Sequence, residues 1–224
     1  IGPRTVKEAF VWAEVLAKRS PHVYAVVRKF GEYPITKFKF SAVGASEKAR
    51  HKELHEKHLK SRAFLGRMSF DKWTYGNAFA SLYEPFMRML VCPRQSCRQE
   101  TNIEAFEDYG FNLDKLTFRF QCPGCDQAVT GKARDTPLPD ARKLNLTGWD
   151  PKTIDIKYNP LTGHSVYYHQ IPSRMSADVR AGDAHLVNTT PMGMLKTIKE
   201  RKLLKFRDGN LFHMKMPGPS GLQS

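Results

Sequence analysis

The stretch CPRQSC at residues 92–97, followed after 24 residues by CPGC at residues 122–125, decides how the middle of this chain folds. It contains all four cysteines of the chain in two close pairs, and Gly124 lets the backbone of the second pair turn tightly. Four thiolates at these spacings (Cys92, Cys97, Cys122 and Cys125) are typical of a closed tetrahedral zinc site, which folds a segment too small to build its own core. Two disulfides are the alternative, but no signal peptide is visible that would indicate an oxidising compartment. Since four thiolates leave no position open for water, we expect a structural Zn2+ rather than a catalytic one.

The composition favours a polyanionic partner. The 224 residues include 36 Lys and Arg against 22 Asp and Glu, which gives a formal net charge of +14. Nucleic-acid-binding proteins commonly have such a charge, although ribosomal, virion and membrane-surface proteins share it. No apolar run approaches the roughly 18 residues that a membrane-spanning helix requires. The chain begins at Ile1 rather than Met and stops soon after a strand-like segment, so we expect a piece of a longer polypeptide with one or two domains.

Helical patterns dominate the first third of the chain. A capping box at residues 5–8 predicts the start of an amphipathic helix, because its hydroxyl and carboxylate can accept hydrogen bonds from unpaired backbone N–H groups. Ser20 and Pro21 are a typical N-cap and first residue of a second helix. Five helices are predicted. The first begins at residue 5, the second runs from Pro21 to Gly31, and the other three cover about residues 46–62, 63–73 and 190–204.

Strand patterns occur in between and towards the end. Alternation with period two predicts strands over residues 35–41, 116–120 and 210–215, and a turn leads into a strand over residues 75–83. Two β-rich runs, 154–158 and 165–170, flank an Asn/Pro/Gly-rich loop and predict a hairpin. These elements together indicate an α+β fold.

No recognisable enzyme motif is present, because a phosphate-binding loop, a nucleophile elbow and a His-Glu-x-x-His helix are all missing. His51, His55 and His58 share one helical face and could hold a metal, but neighbouring lysines favour a solvated basic helix. Scattered carboxylates could hold magnesium as in a nuclease, although aspartates more often serve as caps and turn residues. These carboxylates are Asp108, Asp114, Asp135, Asp140 and Asp150.

Two basic segments, 48–72 and 196–207, are the candidates for nucleic-acid or partner contact. Lysine and arginine contact phosphates without reading sequence, and nearby aromatic rings can stack on bases. At helical spacing the rings Phe64, Phe70, Trp73 and Phe206 are more typical of a core. The candidate contact residues are Lys48, Arg50, Lys52, Lys57, Lys60, Arg62, Lys199, Arg201 and Lys202.

Several segments of the chain resemble the portal proteins of tailed bacteriophages and related viruses. The segment 73–83 is similar to a Tyr-Gly-Asn motif that opens a strand in many portals. Residues 148–151, with the hairpin 154–170, look like the sheet of the portal wing. Residues 208–217 are similar to the strand and Pro/Gly loop that precede the portal stem, and residues 21–36 fit the opening helix of the wing.

The resemblance implies a portal-like wing domain, with helices packed on a mixed or antiparallel sheet and a four-cysteine zinc ribbon inserted into it. It divides the chain into N-terminal helices and first wing strands (1–89), the zinc ribbon (90–132), and a wing hairpin, helix and final strand (133–224) leading to a stem outside this sequence. Typical portals lack such a ribbon and are longer, so this chain would be a decorated relative.

The function implied by the resemblance is structural and not enzymatic. Portals form a ring, usually of twelve subunits, at one capsid vertex, where DNA is packaged and ejected. The implied partners are further copies of the chain, the major capsid protein, the packaging motor, head-completion proteins and double-stranded DNA, without a membrane. The implied location is the virion, with assembly in the host cytoplasm.

Two other classes of protein are alternatives to a portal. A nucleic-acid-binding zinc-ribbon protein, such as a transcription or translation factor, fits the charge and the cysteines equally well. It leaves the ordered strand motifs around the ribbon unexplained. A metal-dependent nuclease would require converging carboxylates, for which the sequence shows no motif.

Overall fold

The computed structural model describes residues 2–33, 35, 38–41, 44–138, 143–207 and 209–216. Its described part contains seven α-helices and three antiparallel sheets, which confirms the α+β class. The helices are α1 (Val6–Arg19), α2 (Pro21–Glu32), α3 (Ala45–Glu53), α4 (Ser61–Tyr75), α5 (Ser173–Arg180), α6 (Ala184–Thr189) and α7 (Met192–Lys199). The strands are β1 (Asn77–Tyr83), β2 (Phe86–Val91), β3 (Glu100–Asn102), β4 (Gly110–Asn112), β5 (Thr117–Cys122), β6 (Gln127–Pro137), β7 (Asn145–Trp149), β8 (Ile154–Tyr158), β9 (Ser165–His169), β10 (Leu204–Lys205) and β11 (Leu211–Lys215).

The chain divides into two compact units, and the cysteines all belong to the second. Unit 1 comprises residues 1–83, 140–168 and 206–224, and unit 2 comprises residues 84–139 and 169–205. Unit 2 is therefore larger than the ribbon predicted at 90–132, because it also contains α5, α6 and α7. Periodicity did not predict α5 and α6, which are only eight and six residues long.

The caps at the start of unit 1 follow the sequence pattern. The Thr5 hydroxyl accepts a hydrogen bond from the Glu8 backbone N–H at 3.1 Å. The Glu8 carboxylate accepts one from the backbone of Arg4 rather than from Thr5. Ser20 caps α2, where Pro21 is the first residue. The first two predicted helices are thus confirmed, since their start signals are local.

The basic helix is shorter than predicted. Its α-helical part, α3, ends at Glu53, and a π-helical turn, Leu54–His58, follows directly. Lys60 then adopts a left-handed backbone (φ 47°), so the chain changes direction before α4. The strand predicted over 35–41 is not seen at residues 35 and 38–41, and residues 36 and 37 lie outside the described part.

Unit 1 is built around β1. This strand pairs antiparallel with both β7 and β11. On one face the small side chains Ala78 and Ala80 let α4 approach through Met68. On the other face Phe79 packs with Ile154 and Phe206. The predicted hairpin is confirmed as β8 and β9, closed by a hydrogen bond from the Asn159 N–H to the His164 carbonyl at 2.9 Å.

Unit 2 contains the five-stranded sheet, in the order β3-β2-β6-β5-β4. Its buried face includes Leu90, Phe118 and Phe120, together with two of the cysteines. Leu195 and Ile198 of α7 pack with Val179 of α5 in a second cluster. The helix predicted to reach Leu204 ends at Lys199, and a left-handed residue, Arg201 (φ 53°), follows it.

Candidate functional site

The sheet of unit 2 brings the two cysteine pairs together. Strands β2 and β5 each pair antiparallel with β6, so both end at the edge of the sheet where β6 begins. The first pair follows the end of β2, and the second pair spans the turn from β5 to β6. Sheet register alone therefore places two turns, 24 residues apart in sequence, beside each other.

The four sulfur atoms have the spacing of a tetrahedral metal site. The Sγ atoms of Cys92 and Cys125 are 3.9 Å apart, those of Cys97 and Cys122 are 3.7 Å apart, and all four lie within 4.8 Å of one another. A tetrahedron with metal–sulfur bonds of about 2.3 Å has edges of about 3.8 Å. A disulfide would need a separation of about 2.05 Å. All four cysteines are free in this structure, and the spacing of their sulfur atoms fits a metal ion rather than two disulfides.

The backbone of each turn is shaped in the same way. The residue after each second cysteine, Arg98 and Asp126, has a left-handed backbone with φ of 45° and 49°. The Asp126 N–H donates to the Cys122 carbonyl at 2.8 Å, and the Arg98 N–H donates to the Arg94 carbonyl at 3.0 Å. The two turns therefore share the same backbone shape around their second cysteine, although the first cysteines, Cys92 and Cys122, lie at different distances before it.

Position 124 requires glycine because a side chain there would be too close to the first cysteine turn. A Cβ atom at this position would lie 3.1 Å from the Cys97 sulfur and 3.2 Å from the Gln99 side chain. Its φ is not in the left-handed region, so the reason for glycine here is the close approach of the first turn. This differs from the tight turn that the sequence suggested.

The cluster is half enclosed by the core. Cys92 and Cys122 are buried, whereas Cys97 and Cys125 are partly exposed. Burial acts to raise the pKa of Cys122, but hydrogen bonds from the backbone N–H groups of Gly124 and Cys125 outweigh it and lower that pKa to about 7. Burial raises the pKa of the Cys125 thiol to about 12. A bound cation would favour the thiolate form of all four side chains, because it compensates their mutual repulsion.

Sequence reasoning missed the buried Arg88 of unit 2. Its guanidinium is 2.8 Å and 3.0 Å from the two carboxylate oxygens of Asp135, and it also donates to the carbonyls of Val187 and Thr190. The backbone N–H of Met192 donates to Asp135 at 2.6 Å. The signal was present in the strand pattern, since Arg88 has the same parity as the buried Leu90 and Cys92.

The remaining candidate metal ligands do not converge. Within the described residues, the four cysteines are the only group of three or more potential ligands. His55 is 2.9 Å from the Ser61 hydroxyl, and Asp135 is paired with Arg88. Asp150 caps a short 3-10 turn, while Asp140 lies outside the described residues.

A cavity of about 1500 Å³ in unit 1 collects several of the predicted basic residues. It is lined by α2, α4 and the segment that contains α3, and aromatic rings such as Phe70 contribute to its wall. Of the candidate contact residues, Lys48, Lys52, Lys60 and Arg62 line the cavity, together with Arg28, Lys39 and Arg67.

The other candidate basic residues are placed differently. Lys57 pairs with Glu53 at 3.2 Å, and neither Lys57 nor Arg50 lines the cavity. Lys199, Arg201 and Lys202 belong to unit 2, where Lys202 pairs with Glu200 at 2.7 Å. The predicted aromatic Phe206 is core, as its spacing indicated.

No match to this chain was found among protein-family models, curated proteins or solved structures. Among the described residues, no helix is both long enough and apolar enough to cross a bilayer. The α+β fold and the four-cysteine group are therefore the observations on which a function can be argued.

Proposed function

We propose that this chain is a structural, non-catalytic protein of the portal type, in which a zinc ion stabilises unit 2. The observation that supports this most strongly is the sheet of unit 1. Three of the segments that resemble portals contain β1, the end of β7 and β11, which are far apart in sequence but pair side by side. Segments that a family shares for one structural purpose are expected to meet in this way.

A side-chain contact supports the same reading. Asn77, from the Tyr-Gly-Asn segment, accepts a hydrogen bond from Nε2 of His213 at 2.8 Å. Nδ1 of His213 is 3.1 Å from the Tyr167 hydroxyl, and the imidazole stacks on Phe79 at 4.5 Å. Burial lowers the pKa of His213, so the neutral ring is favoured and can hold both partners. Asn77 and His213 therefore join two of the resembling segments.

The metal we propose is Zn2+. Tetrahedral sites with four thiolates take zinc or iron, and a closed site of this kind has no position for substrate. Metal analysis of protein purified without chelator should give one zinc per chain and a colourless solution. A brown protein with iron would contradict the choice of metal while leaving the four-cysteine site intact.

The basic cavity of unit 1 is the proposed place of contact with DNA. Six of the cations that line it, Lys39, Lys48, Lys52, Lys60, Arg62 and Arg67, form no ion pair within the described residues. Unpaired cations around one concave surface raise the local concentration of polyanions. Such contacts are to phosphates and carry no sequence information.

Electron microscopy of the purified full-length protein tests the proposed function. Rings with a central channel are expected, because a ring at the capsid vertex is the role implied by the resemblance. The capsid protein, the packaging motor and the virion location belong to the same proposal. A protein that remains monomeric in the micrographs would contradict it.

The competing function is a nucleic-acid-binding zinc-ribbon factor. The specific observation in its favour is the combination of the four-cysteine site with unpaired cations in unit 1. A competition experiment separates the two functions, because a factor of this kind keeps a preferred sequence at high salt. A structural portal should bind all sequences alike.

A further inference from the structure

The two N-terminal helices of unit 1 expose an unusual amount of apolar surface. On α1 the exposed apolar residues include Val11 (48%), Trp12 (53%), Val15 (43%) and Leu16 (56%). On α2 they include Val23 (38%), Val26 (53%), Phe30 (52%) and Tyr33 (83%), the last of these directly after the helix. We refer to these eight side chains as the α1–α2 face.

The positions on α1 show that its outer side is apolar. Trp12 and Leu16 are one turn apart, and Val11 and Val15 lie beside them, so the four form one continuous patch. The opposite side of the helix, at Ala17, is already buried in the fold. A helix on the surface of a protein is normally polar on its outer side, and one that is apolar all round is normally covered.

Four exposed apolar residues of α2 lie along one line of the helix, which we call the seam. Val23, Val26, Phe30 and Tyr33 have the spacing i, i+3, i+7 and i+10, which is the pattern by which one helix packs along another. The neighbouring stripe of α2 is occupied, since Val27 and Gly31 are buried and Gly31 lies against the backbone of Phe70 in α4. The ring of Phe30 lies 4.8 Å from that of Trp73 in α4, so the seam adjoins this packing and still leaves Phe30 52% exposed.

The exposed apolar area matches one side of a stable interface. From the exposed fractions, the three aromatic side chains contribute about 300–450 Å² and the five aliphatic ones about 150–300 Å². The largest apolar patch of a typical monomer is about 300–600 Å². A standard interface has about 800 Å² per partner, of which rather more than half is apolar, or about 450 Å².

Charge does not oppose a second copy at this face. Residues 6–32 carry five Lys and Arg against three Glu, a net +2, and none of the eight side chains of the α1–α2 face is charged. Several of these charges are paired within unit 1, as in Lys18 with Glu14, Arg28 with Glu32, and Lys7 with Asp155. Three of the five cations are therefore neutralised locally, and two copies of the chain can meet through the uncharged side chains between them.

We propose that a second copy of this chain covers the α1–α2 face. The proposed function already includes rings of further copies; the inference goes beyond it by assigning self-association to named residues, and it depends neither on the zinc site nor on a closed ring. In a closed ring this face would be one of the two different surfaces that neighbouring subunits use.

Sedimentation velocity of the full chain over a range of concentrations tests the inference. We expect concentration-dependent self-association that the double variant Trp12→Glu/Val26→Glu weakens by about 100-fold, because both changes place a charge in the centre of the contact. The matched control is Leu161→Glu, which changes a 94% exposed leucine in the β8–β9 loop of the same unit and should leave association unchanged.

Folding and location are checked separately. Circular dichroism compares the variants with the wild type, and the milder pair Trp12→Gln/Val26→Gln replaces the first pair if the glutamates unfold α1. Hydrogen exchange of the wild type should slow in residues 6–33 as concentration rises, but not in α3. Slowing in α3 alone would overturn the inference.

Two further outcomes separate this inference from the proposed function. Rings that form equally well in the double variant would overturn the inference and leave the portal proposal standing. Dimers that depend on Trp12 and Val26, without rings, would support the inference and contradict the portal. A wild-type chain that stays monomeric at every concentration would overturn the inference.

Discussion

At the scale of single residues, Arg88 is the clearest case of a charge whose surroundings decide its role. Its side chain is 1% exposed, and it lies 5.1 Å and 5.7 Å from the rings of Phe86 and Phe118. Four hydrogen bonds to Asp135 and two backbone carbonyls engage all three of its nitrogens, so the buried charge is paired. Arg88 thereby ties β2 and β6 to the chain around α6 and α7.

Replacing Arg88 by alanine should destabilise unit 2 by about 3–5 kcal/mol, because Asp135 and the two carbonyls lose their partner in a buried place. Urea denaturation of the metal-loaded protein, followed by far-ultraviolet circular dichroism, measures the loss. Arg119→Ala, at an exposed position of β5, is the control and should cost well under 1 kcal/mol. Equal losses in both variants would show that the Arg88 network contributes nothing specific.

Asp71 is the residue through which pH should act on unit 1. Burial raises its pKa to about 6, with Asp150 and Glu14 adding to the effect and Arg67 opposing it. The folded pKa therefore lies above the unfolded value of about 3.9, so the folded state binds the proton more tightly. The contribution of Asp71 to stability decreases as pH rises from about 4 to about 6 and stays unfavourable above that range.

The variant Asp71→Asn removes this cost. At pH 7.5 it should be more stable than the wild type by about 1 kcal/mol, a value reduced from the full shift because the site is only partly buried. Thermal melts from pH 4 to pH 8 should show the advantage growing as pH rises. The control is Asp108→Asn at an exposed carboxylate, and an advantage for Asp71→Asn that is largest at pH 4 would contradict the assignment.

At the scale of elements, the pairing of β2 and β5 with β6 brings the four cysteines together. Their register sets the two cysteine turns opposite each other, and the core residues Leu90 and Phe120 lie directly beneath. A metal ion bound to this group would therefore stabilise the same arrangement as the sheet. We expect the stability of unit 2, and not that of unit 1, to depend on it.

Replacing Cys122 by serine should remove the metal and unfold the ribbon of unit 2. In comparable peptides structural zinc contributes roughly 10–16 kcal/mol at neutral pH, far more than a small sheet can lose. Metal analysis should give less than one ion per chain, and limited proteolysis should cut within 84–139 while α1 and α4 survive. Gln95→Ala, in the first cysteine turn, is the control, and a fully folded Cys122→Ser protein would contradict the prediction.

Gly131 tests whether β6 depends on close packing. A Cβ atom here would lie 2.2 Å from the Val91 carbonyl oxygen, which is backbone and cannot move aside without breaking the β2–β6 pairing. Gly131→Ala should cost about 2 kcal/mol or more in a urea titration. Gly110→Ala is the matched control, because the nearest atom to its Cβ would be the Arg119 Cβ at an ordinary 3.7 Å.

At the scale of the whole molecule, the charge of +14 is spread unevenly. The cavity of unit 1 collects seven cationic side chains from different elements, among them Arg28, Lys39, Lys52, Arg62 and Arg67. Phosphate contacts by such residues release counterions, so binding should fall steeply with salt. Other basic residues of the same unit, such as Arg50 and Lys57, do not line the cavity.

DNA binding should therefore respond to the position of a charge as well as to its sign. Lys48→Gln/Lys52→Gln should lower the slope of log affinity against log salt by about 0.9 for each phosphate that the variant no longer neutralises. Lys57→Gln removes a positive charge outside the cavity and should change the slope little. Fluorescence anisotropy with DNA of two unrelated sequences measures both, and equal effects of all these lysines would show that DNA does not bind in the cavity.

Local signals in the sequence predicted much of the fold and the residues of the four-cysteine group. The pairs around Cys92 and Cys122, and the caps at Thr5 and Ser20, depend on residues within one or two turns of each other. Short-range geometry of this kind is specified by spacing alone, so the four-cysteine group was predicted residue by residue. The Gly76 turn before β1 was readable for the same reason.

The tertiary structure decided what depends on distant pairing. The Arg88–Asp135 pair joins residues 47 positions apart, and the Val187 carbonyl that Arg88 contacts is 99 positions away. The amphipathic pattern predicted α1 as a helix, and the structure leaves its residue Leu16 56% exposed. Residue spacing determines which side chains share a face of an element, but only the packing of the other elements determines which face is covered. For this reason the sequence by itself determined the four-cysteine group and most element starts, while the folded chain decided the buried ion pair, the basic cavity and the α1–α2 face.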